Sequence, residues 1–138
     1  MISRVLVDTG PLVALRLEDE THHEKCVQAL RDLRPPLLTC WPVLTEAAYL
    51  LQSHPQQVCE LLASTAGGFL EILPLTSADV PGINAILHRY ADQDFQLADA
   101  ALMHLAEREQ IENVFTLDLR DFGVYRTPAG KSLTIIGG

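Results

Sequence analysis

The chain has 138 residues, of which 48% are hydrophobic, and it carries a formal net charge of −8. This length predicts one domain over residues 1–138, and the hydrophobic content excludes an intrinsically disordered chain. The acidic balance argues against a non-specific nucleic-acid-binding protein, which is usually basic. No apolar run approaches the ~18 residues of a membrane-spanning helix, and the apolar stretch near Met1 is too short for a signal-peptide core.

The cysteines indicate the compartment in which the protein works. Cys26, Cys40 and Cys59 are odd in number, and no two of them have a CxxC spacing. Reduced thiols explain this pattern best, so we expect a cytoplasmic protein that does not associate with membranes.

The first half of the chain alternates short apolar runs with helical patterns. Val5–Val7 is short and β-branched, which predicts a buried strand. The turn Thr9-Gly10-Pro11 leads into a short helix, because proline suits the first helical turn. An amphipathic helix is predicted over residues 20–33, and Pro35-Pro36 ends it. The next predicted elements are a strand at Leu37–Cys40, a helix over 42–52 and a helix that ends near residue 65.

The second half repeats the same alternation. A strand is predicted at Phe69–Leu73, followed by a helix that begins after the capping hydroxyls of Thr76-Ser77 and ends at Tyr90. A helix over Gln96–Gln110 comes next, and the last two strands are predicted at Val114–Leu117 and Leu133–Ile136. Short apolar strands that alternate with helices predict an α/β protein with a parallel sheet covered on both faces.

Four acidic residues border these apolar elements, namely Asp8, Glu46, Asp99 and Asp118. Ionised groups are rarely buried without a charge partner, and few cations are placed to serve all four. In parallel sheets, ligands bind beyond the carboxyl ends of the strands, where Asp8 and Asp118 are predicted to lie. The pattern therefore predicts one site for a divalent cation with hard oxygen ligands, Mg²⁺ or Mn²⁺.

Each acid also has an ordinary structural explanation. Asp8 can cap the helix that follows it, and Asp99 lies in a first helical turn, where acids favour the helix dipole. Glu46 can pair with an arginine, although its helical neighbours include Tyr49 and Leu50. Four such acids at the ends of core elements are harder to explain as independent caps, which favours the shared site.

The last twenty residues have the opposite charge balance. Arg120, Arg126 and Lys131 face only one acid there, Asp121, which we expect to cap or support its loop. The segment is either a local basic patch near the acidic residues or an ordinary solvated surface. The aromatic residues Tyr49, Tyr90 and Phe95 are interpreted as core rather than as base-stacking platforms.

The four acids lie in four short motifs, which are residues 7–14 (VDTGPLVA), 44–51 (LTEAAYLL), 97–102 (LADAAL) and 115–118 (FTLD) with Asp121-Phe122. Taken in order, these motifs resemble the PIN-domain family and, within it, the VapC-type toxins of prokaryotic toxin–antitoxin systems. Residues Val124-Tyr125-Arg126 and the strand after them also look like the family. The resemblance implies a three-layer α/β/α fold around a parallel sheet of four to five strands, with strands one and four adjacent.

The resemblance also implies a function, an Mg²⁺- or Mn²⁺-dependent endoribonuclease. The family's catalytic acids map onto Asp8, Glu46, Asp99 and Asp118, and of these Asp8, Asp99 and Asp118 hold the metal. Two hydroxyls, those of Thr9 and Thr116, match positions near that site, and we expect Thr9 to orient Asp8. The implied partners are an RNA substrate, a cognate antitoxin that neutralises the activity, and a second copy of the chain in a homodimer. RNA phosphates would then meet the basic segment that contains Arg120, Arg126 and Lys131.

Three other readings stay open at this point. The family includes RNA-processing nucleases outside toxin systems, and it includes RNA- or protein-binding modules without activity. A phosphatase of the haloacid-dehalogenase type is a further alternative, since Asp8-Thr9-Gly10 follows a strand as its nucleophile does. That class wants a second aspartate where this chain has Gly10, and Lys131 is poorly placed as its catalytic lysine.

Overall fold

Five short parallel strands form the central sheet in a computed structural model that describes residues 1–138. They are β1 (Val5–Val7), β2 (Leu37–Thr39), β3 (Leu70–Ile72), β4 (Asn113–Phe115) and β5 (Thr134–Ile136). The order across the sheet is β3-β2-β1-β4-β5. The predicted parallel α/β fold and the predicted strands are confirmed, with boundaries that differ by one or two residues.

Seven α-helices and one 3-10 turn connect these strands. The helices are α1 (Thr9–Arg16), α2 (His23–Leu30), α3 (Trp41–Leu50), α4 (Pro55–Ala66), α5 (Val80–Arg89), α6 (Leu97–Glu109) and α7 (Leu119–Val124). The 3-10 turn, Ser77–Asp79, opens the helix predicted after Thr76, whose hydroxyl accepts a hydrogen bond from the Ala78 N–H at 3.2 Å. The short helix α7 was not predicted, because six residues give no readable periodicity.

Strand β1 occupies the middle of the sheet and pairs with β2 on one side and with β4 on the other. Its three residues, Val5 to Val7, are completely buried. Parallel crossovers are right-handed, so α1 to α4 cover one face of the sheet, and α5 and α6 cover the other. The direction of winding reverses between β1 and β4, which makes the carboxyl ends of these two strands the switch point where ligands bind in such sheets.

Helix α6 is buried around most of its circumference. Small residues such as Ala98, Ala100 and Ala101 let its backbone approach its neighbours closely, and Leu102 and Leu105 fill the core. This depth of packing carries the first turn of α6 inside the protein.

None of the seven helices combines the length and the apolar character needed to cross a bilayer. The three cysteines are free thiols, with Cys26 and Cys40 buried and Cys59 exposed.

Candidate active site

Asp8 lies directly beyond β1 and is buried. Its backbone N–H donates to the Phe115 carbonyl at 2.9 Å, which extends the pairing with β4 by one residue. The Thr116 hydroxyl donates to Asp8 Oδ2 at 2.8 Å and accepts from the Asp118 N–H at 2.9 Å. A single threonine therefore joins the two aspartates that follow neighbouring strands.

Asp118 also begins α7. Its Oδ1 accepts from the Asp121 N–H at 2.9 Å, which makes Asp118 the N-cap of that helix. Since residues three apart face each other in a first helical turn, the cap brings the Asp121 side chain beside Asp118. Asp121 is buried and belongs to the same acidic group.

Asp99 reaches this group from a different element. It lies in the first turn of α6, is buried, and accepts a hydrogen bond from the Gln96 N–H at 3.0 Å. Carboxylate oxygens of Asp99, Asp118 and Asp121, one from each residue, all lie within 4.8 Å of one another. That spacing lets three oxygens share one cation after small side-chain rotations.

Glu46 comes from α3 and is held at the edge of the site. The Thr9 hydroxyl donates to Glu46 Oε2 at 3.3 Å and lies 3.5 Å from the Val43 carbonyl. The expectation that this hydroxyl orients Asp8 is wrong. Thr9 begins α1 and its hydroxyl contacts α3. The hydroxyl that contacts Asp8 is that of Thr116, the residue after β4.

The four predicted acids share one open cleft with a volume of about 440 Å³. The cleft is lined by Asp8, Thr9, Gly10, Glu46, Leu50, Asp94, Gln96, Asp99, Leu117, Asp118 and Asp121. It has six acidic residues and no lysine, arginine or histidine. The ion pairs of the chain lie elsewhere, so no salt bridge neutralises an acid of the cleft.

The crowded carboxylates hold protons more strongly than usual. Burial raises the pKa of Asp8 to about 6, and the charges of Glu46 and Asp118 add to the effect. Burial and the charge of Asp8 raise the pKa of Asp99 to about 7. Burial, together with the charge of Asp118, raises the pKa of Asp121. A divalent cation fits this site, since it would favour the ionised forms and the donors are the oxygens that Mg²⁺ and Mn²⁺ prefer.

Comparison with known proteins decides the family. Residues 5–127 match the family model of the PIN domain. The chain belongs to the PIN-domain family. Ribonuclease VapC26 of Mycobacterium tuberculosis is 29% identical to it over 134 residues, which cover 96% of this chain and 99% of that protein.

Two solved structures resemble this PIN domain in fold. One is VapC20 of Mycobacterium tuberculosis, a toxin that cleaves the sarcin-ricin loop, with a TM-score of 0.77 and 18% identity over 84% of this chain and 91% of that chain. The other comes from a toxin–antitoxin complex of Klebsiella pneumoniae, with a TM-score of 0.68 and 18% identity over 87% of this chain and 91% of that chain.

The three basic residues predicted to contact RNA differ in their exposure, hydrogen bonding and distance from the acidic cleft of this PIN domain. Arg120 is exposed in the first turn of α7, next to Asp121. The Arg126 guanidinium donates to the carbonyls of Gly123 and Tyr125, so it caps the end of α7. Lys131 lines a separate groove at the far end of α6, where its neighbours include Glu107 and Glu112, and it does not line the acidic cleft.

The interpretation of Tyr49 as a core residue is wrong, because 67% of its surface is exposed. Leu50 is also exposed and lines the cleft beside Glu46. The apolar residues of α3 extend around more of the helix than its buried face covers, so periodicity alone did not identify that face. Tyr90 is half-buried and Phe95 is buried, as predicted.

The sequence reasoning ranked Asp121 below Asp118, yet Asp121 lies in the tightest acidic group. The signal for its position was present in the sequence. An aspartate followed three residues later by a second acid is the spacing of an N-cap and the facing residue of the first helical turn.

Proposed function

We propose that this PIN domain is a metal-dependent endoribonuclease that hydrolyses RNA phosphodiester bonds, and that it is the toxin of a type II toxin–antitoxin pair. One observation supports the proposal most. Carboxylates from four separate chain segments converge in one cleft that holds no protein cation. The likeness to Ribonuclease VapC26 over nearly the full length of both chains supports RNA as the substrate.

The metal would be held by Asp99, Asp118 and Asp121, with Asp8 beside them. Thr116 donates to only one oxygen of Asp8, which leaves Oδ1 available as a ligand. A bound Mg²⁺ or Mn²⁺ supplies Lewis acidity, which lowers the pKa of coordinated water and offsets charge on the phosphoryl oxygens. Asp121 enters this ligand set in addition to the three aspartates that the family resemblance implies.

Glu46 is proposed to position the attacking water. The Thr9 hydroxyl fixes Oε2 of Glu46, and Oε1 remains free to accept a hydrogen bond from a water molecule in the cleft. A carboxylate in this position removes a proton as the water attacks phosphorus. No side chain forms a covalent bond to the substrate in this mechanism.

RNA phosphates would approach past Arg120, the exposed cation nearest in sequence to Asp118 and Asp121. The fold shared with a chain of a toxin–antitoxin complex supports an antitoxin partner. We further propose that the chain forms a homodimer, that a basic antitoxin side chain enters the acidic cleft, and that the protein works in the cytoplasm.

The proposal is tested by incubating the purified chain with single-stranded and looped RNAs in Mg²⁺, Mn²⁺ or excess EDTA, and by sequencing the fragment ends. Cleavage should require the metal and should disappear in Asp8→Asn. Asp19→Asn is the matched control, because it neutralises an exposed aspartate far from the cleft. Full cleavage in EDTA, or in Asp8→Asn, would overturn the mechanism.

The toxin role needs a separate measurement. Expression of the wild-type chain should arrest growth, and expression of Asp8→Asn should not. A chain that cleaves RNA but never affects growth would instead fit an RNA-processing nuclease. A chain that binds RNA without cleaving it under any metal condition would fit a non-catalytic module.

A further inference from the structure

We infer that Tyr90 is a positioning residue for the acidic group, since its side chain holds the beginning of α6 against the end of α7. Asp99 belongs to the first of these elements, and Asp121 belongs to the second. The inference rests on the proposed function because it concerns the same metal site.

The site needs such a connection for an electrostatic reason. Asp99 is on α6, whereas Asp118 and Asp121 flank the first turn of α7, so the group spans two elements. Carboxylates within 4.8 Å of one another repel when they are ionised, and without a cation between them this repulsion favours separation of the two elements. No backbone hydrogen bond joins the first turn of α6 to α7, so side chains must keep the two elements in register.

The ring of Tyr90 makes the contact with the α6 side. Tyr90 ends α5, and its ring stacks on Phe95 with 4.9 Å between centroids and 27° between ring planes. Phe95 is buried and is followed by Gln96, whose N–H donates to the Asp99 carboxylate. The stacked ring therefore fixes the two residues that lead into the turn holding Asp99.

The hydroxyl of the same side chain makes the contact with the α7 side. It accepts a hydrogen bond from the Arg126 N–H at 2.8 Å and donates one to the Arg126 carbonyl at 3.3 Å. Arg126 follows Tyr125, whose N–H donates to the Asp121 carbonyl and closes α7. The Tyr90 and Tyr125 rings are 5.8 Å apart.

A nearby cation reinforces this arrangement. The Arg89 guanidinium carbon lies 5.0 Å from the Tyr90 ring centroid and 5.8 Å from that of Tyr125. Cation–π contacts of this kind hold two rings beside one another. The side chain of Tyr90 thus contacts both the segment before Asp99 and the segment after Asp121.

The test is Tyr90→Phe, which keeps the stacked ring and removes both hydroxyl hydrogen bonds. Groups bonded directly to metal ligands are worth about 10- to 100-fold in metal affinity, and Tyr90 acts one contact further from the ligands, so we take the lower end of that range. We expect the Kd for Mn²⁺, measured by calorimetry on the purified chain without RNA, to rise roughly tenfold. Cleavage should be impaired at low Mn²⁺ and should recover at saturating Mn²⁺, with kcat close to that of the parent.

Tyr49→Phe is the matched control, because Tyr49 is exposed and its hydroxyl has no hydrogen-bond partner within the chain. It should leave the Mn²⁺ affinity unchanged. A Tyr90→Phe protein that melts lower but binds Mn²⁺ as tightly as the parent would overturn the inference, because that is what a merely stabilising contact does. Should Tyr90→Phe fail to fold, Phe95→Leu removes the other contact of Tyr90, and unchanged Mn²⁺ affinity there overturns the inference equally.

The same titration separates this inference from the proposed function. A parent chain that binds no Mn²⁺ would remove the metal site and the proposed function with it. A parent that binds Mn²⁺ alongside a Tyr90→Phe variant of equal affinity would remove only the role of Tyr90.

Discussion

Two aspartates in this protein have the same local geometry and opposite electrostatics. Asp79, in the 3-10 turn before α5, accepts a hydrogen bond from the Thr76 N–H at 2.8 Å, and Asp99 accepts one from the Gln96 N–H at 3.0 Å. Each carboxylate therefore accepts a hydrogen bond from the backbone N–H of the residue three positions before it, and both aspartates are buried. The pKa of Asp79 is held well below its usual range, whereas that of Asp99 is raised to about 7.

The difference comes from the neighbours. The Thr76 N–H donates to Asp79 Oδ2, and Oδ1 accepts from His104 Nε2 at 2.8 Å and from the Arg108 guanidinium at 2.9 Å. Asp99 has burial and other carboxylates around it instead. A capping position does not by itself decide whether an acid is structural. The fold places two basic side chains beside Asp79 and only uncharged groups and other acids beside Asp99, which is why Asp99 is a proposed metal ligand and Asp79 is not.

The largest expected effect separates the two regions by activity. Asp8→Asn removes a ligand charge at nearly constant size and should lower the rate of RNA cleavage by about 10³-fold or more, since several kcal/mol of charge stabilisation are lost. Asp79→Asn should retain cleavage, because Asp79 lies away from the cleft. Rates at saturating Mn²⁺, with circular dichroism to check folding, make the measurement. Equal losses in the two variants would erase the distinction between the regions.

The second effect is on stability, and its sign differs between the regions. In EDTA, Asp99→Asn should melt higher than the parent because it relieves repulsion, whereas Asp79→Asn should melt lower because His104 and Arg108 lose the negative charge of their partner. Mn²⁺ at a hundredfold excess over its Kd should stabilise the parent by about 2.7 kcal/mol, or roughly 10 °C in a domain of this size. Asp99→Asn should gain much less.

Thermal melts of each protein with and without Mn²⁺ check this second prediction. If millimolar Mn²⁺ does not change the melting temperature of the parent, the result would count against the metal site. An Asp99→Asn variant that gains as much as the parent would remove Asp99 from the ligand set.

The third effect is a dependence on pH. In the folded, metal-free protein, Asp8 keeps its proton to about pH 6 and Asp99 to about pH 7, whereas both release it near 3.8 when unfolded. The native state therefore binds more protons between about pH 4 and pH 7, so stability falls as the pH rises through that window. Asp79 contributes the opposite way, since its stabilisation is present above its unfolded pKa and is lost as the pH falls below it.

Melts in EDTA between pH 5 and pH 8 test this dependence, with Asp99→Asn as the comparison. The slope of melting temperature against pH should be shallower in the variant. Parallel curves for the variant and the parent would show that Asp99 does not carry the effect.

The smallest effect concerns the basic residues. A phosphate contact removed by mutation should reduce the salt slope of RNA binding by roughly one unit. We expect that change for Arg120→Ala, a smaller one for Arg126→Ala, whose guanidinium is engaged with the end of α7, and none for Lys131→Ala. Binding is measured with the inactive Asp8→Asn background at several salt concentrations. A salt slope that falls by a full unit in Lys131→Ala and does not change in Arg120→Ala would show that Lys131, and not Arg120, contacts the phosphates.

The convergence of Asp8 and Asp118 was predictable because it follows from topology. Short apolar strands alternating with helices predict a parallel sheet, and a parallel sheet brings the carboxyl ends of its strands to one edge. Thr116 was matched through the family resemblance, but its contact with Asp8 depends on the register of β1 against β4. That register depends on contacts between residues that are far apart in the sequence.

Other features of the site depend on the folded structure and could not be predicted from the sequence. The role of Asp121 depends on α7, which is too short to show a helical period. The exposure of Tyr49 depends on which part of an apolar helix surface meets the core. The engagement of Arg126 and the remote position of Lys131 depend on how the chain after α7 folds back, and charge alone did not predict that path.

Because β4 inserts beside β1, the order in which the chain is synthesised governs when an active site can exist. The hydrogen bond between Thr116 and Asp8 spans 108 residues. A ribosome delivers the N-terminal segments first, so a nascent chain that stops before β4 can pair β1 with β2 and β2 with β3 but leaves Asp8 without Thr116, Asp118 or Asp121. Prematurely released fragments would therefore be inert, and only chains that extend past α7 would cut RNA in the cell that makes them.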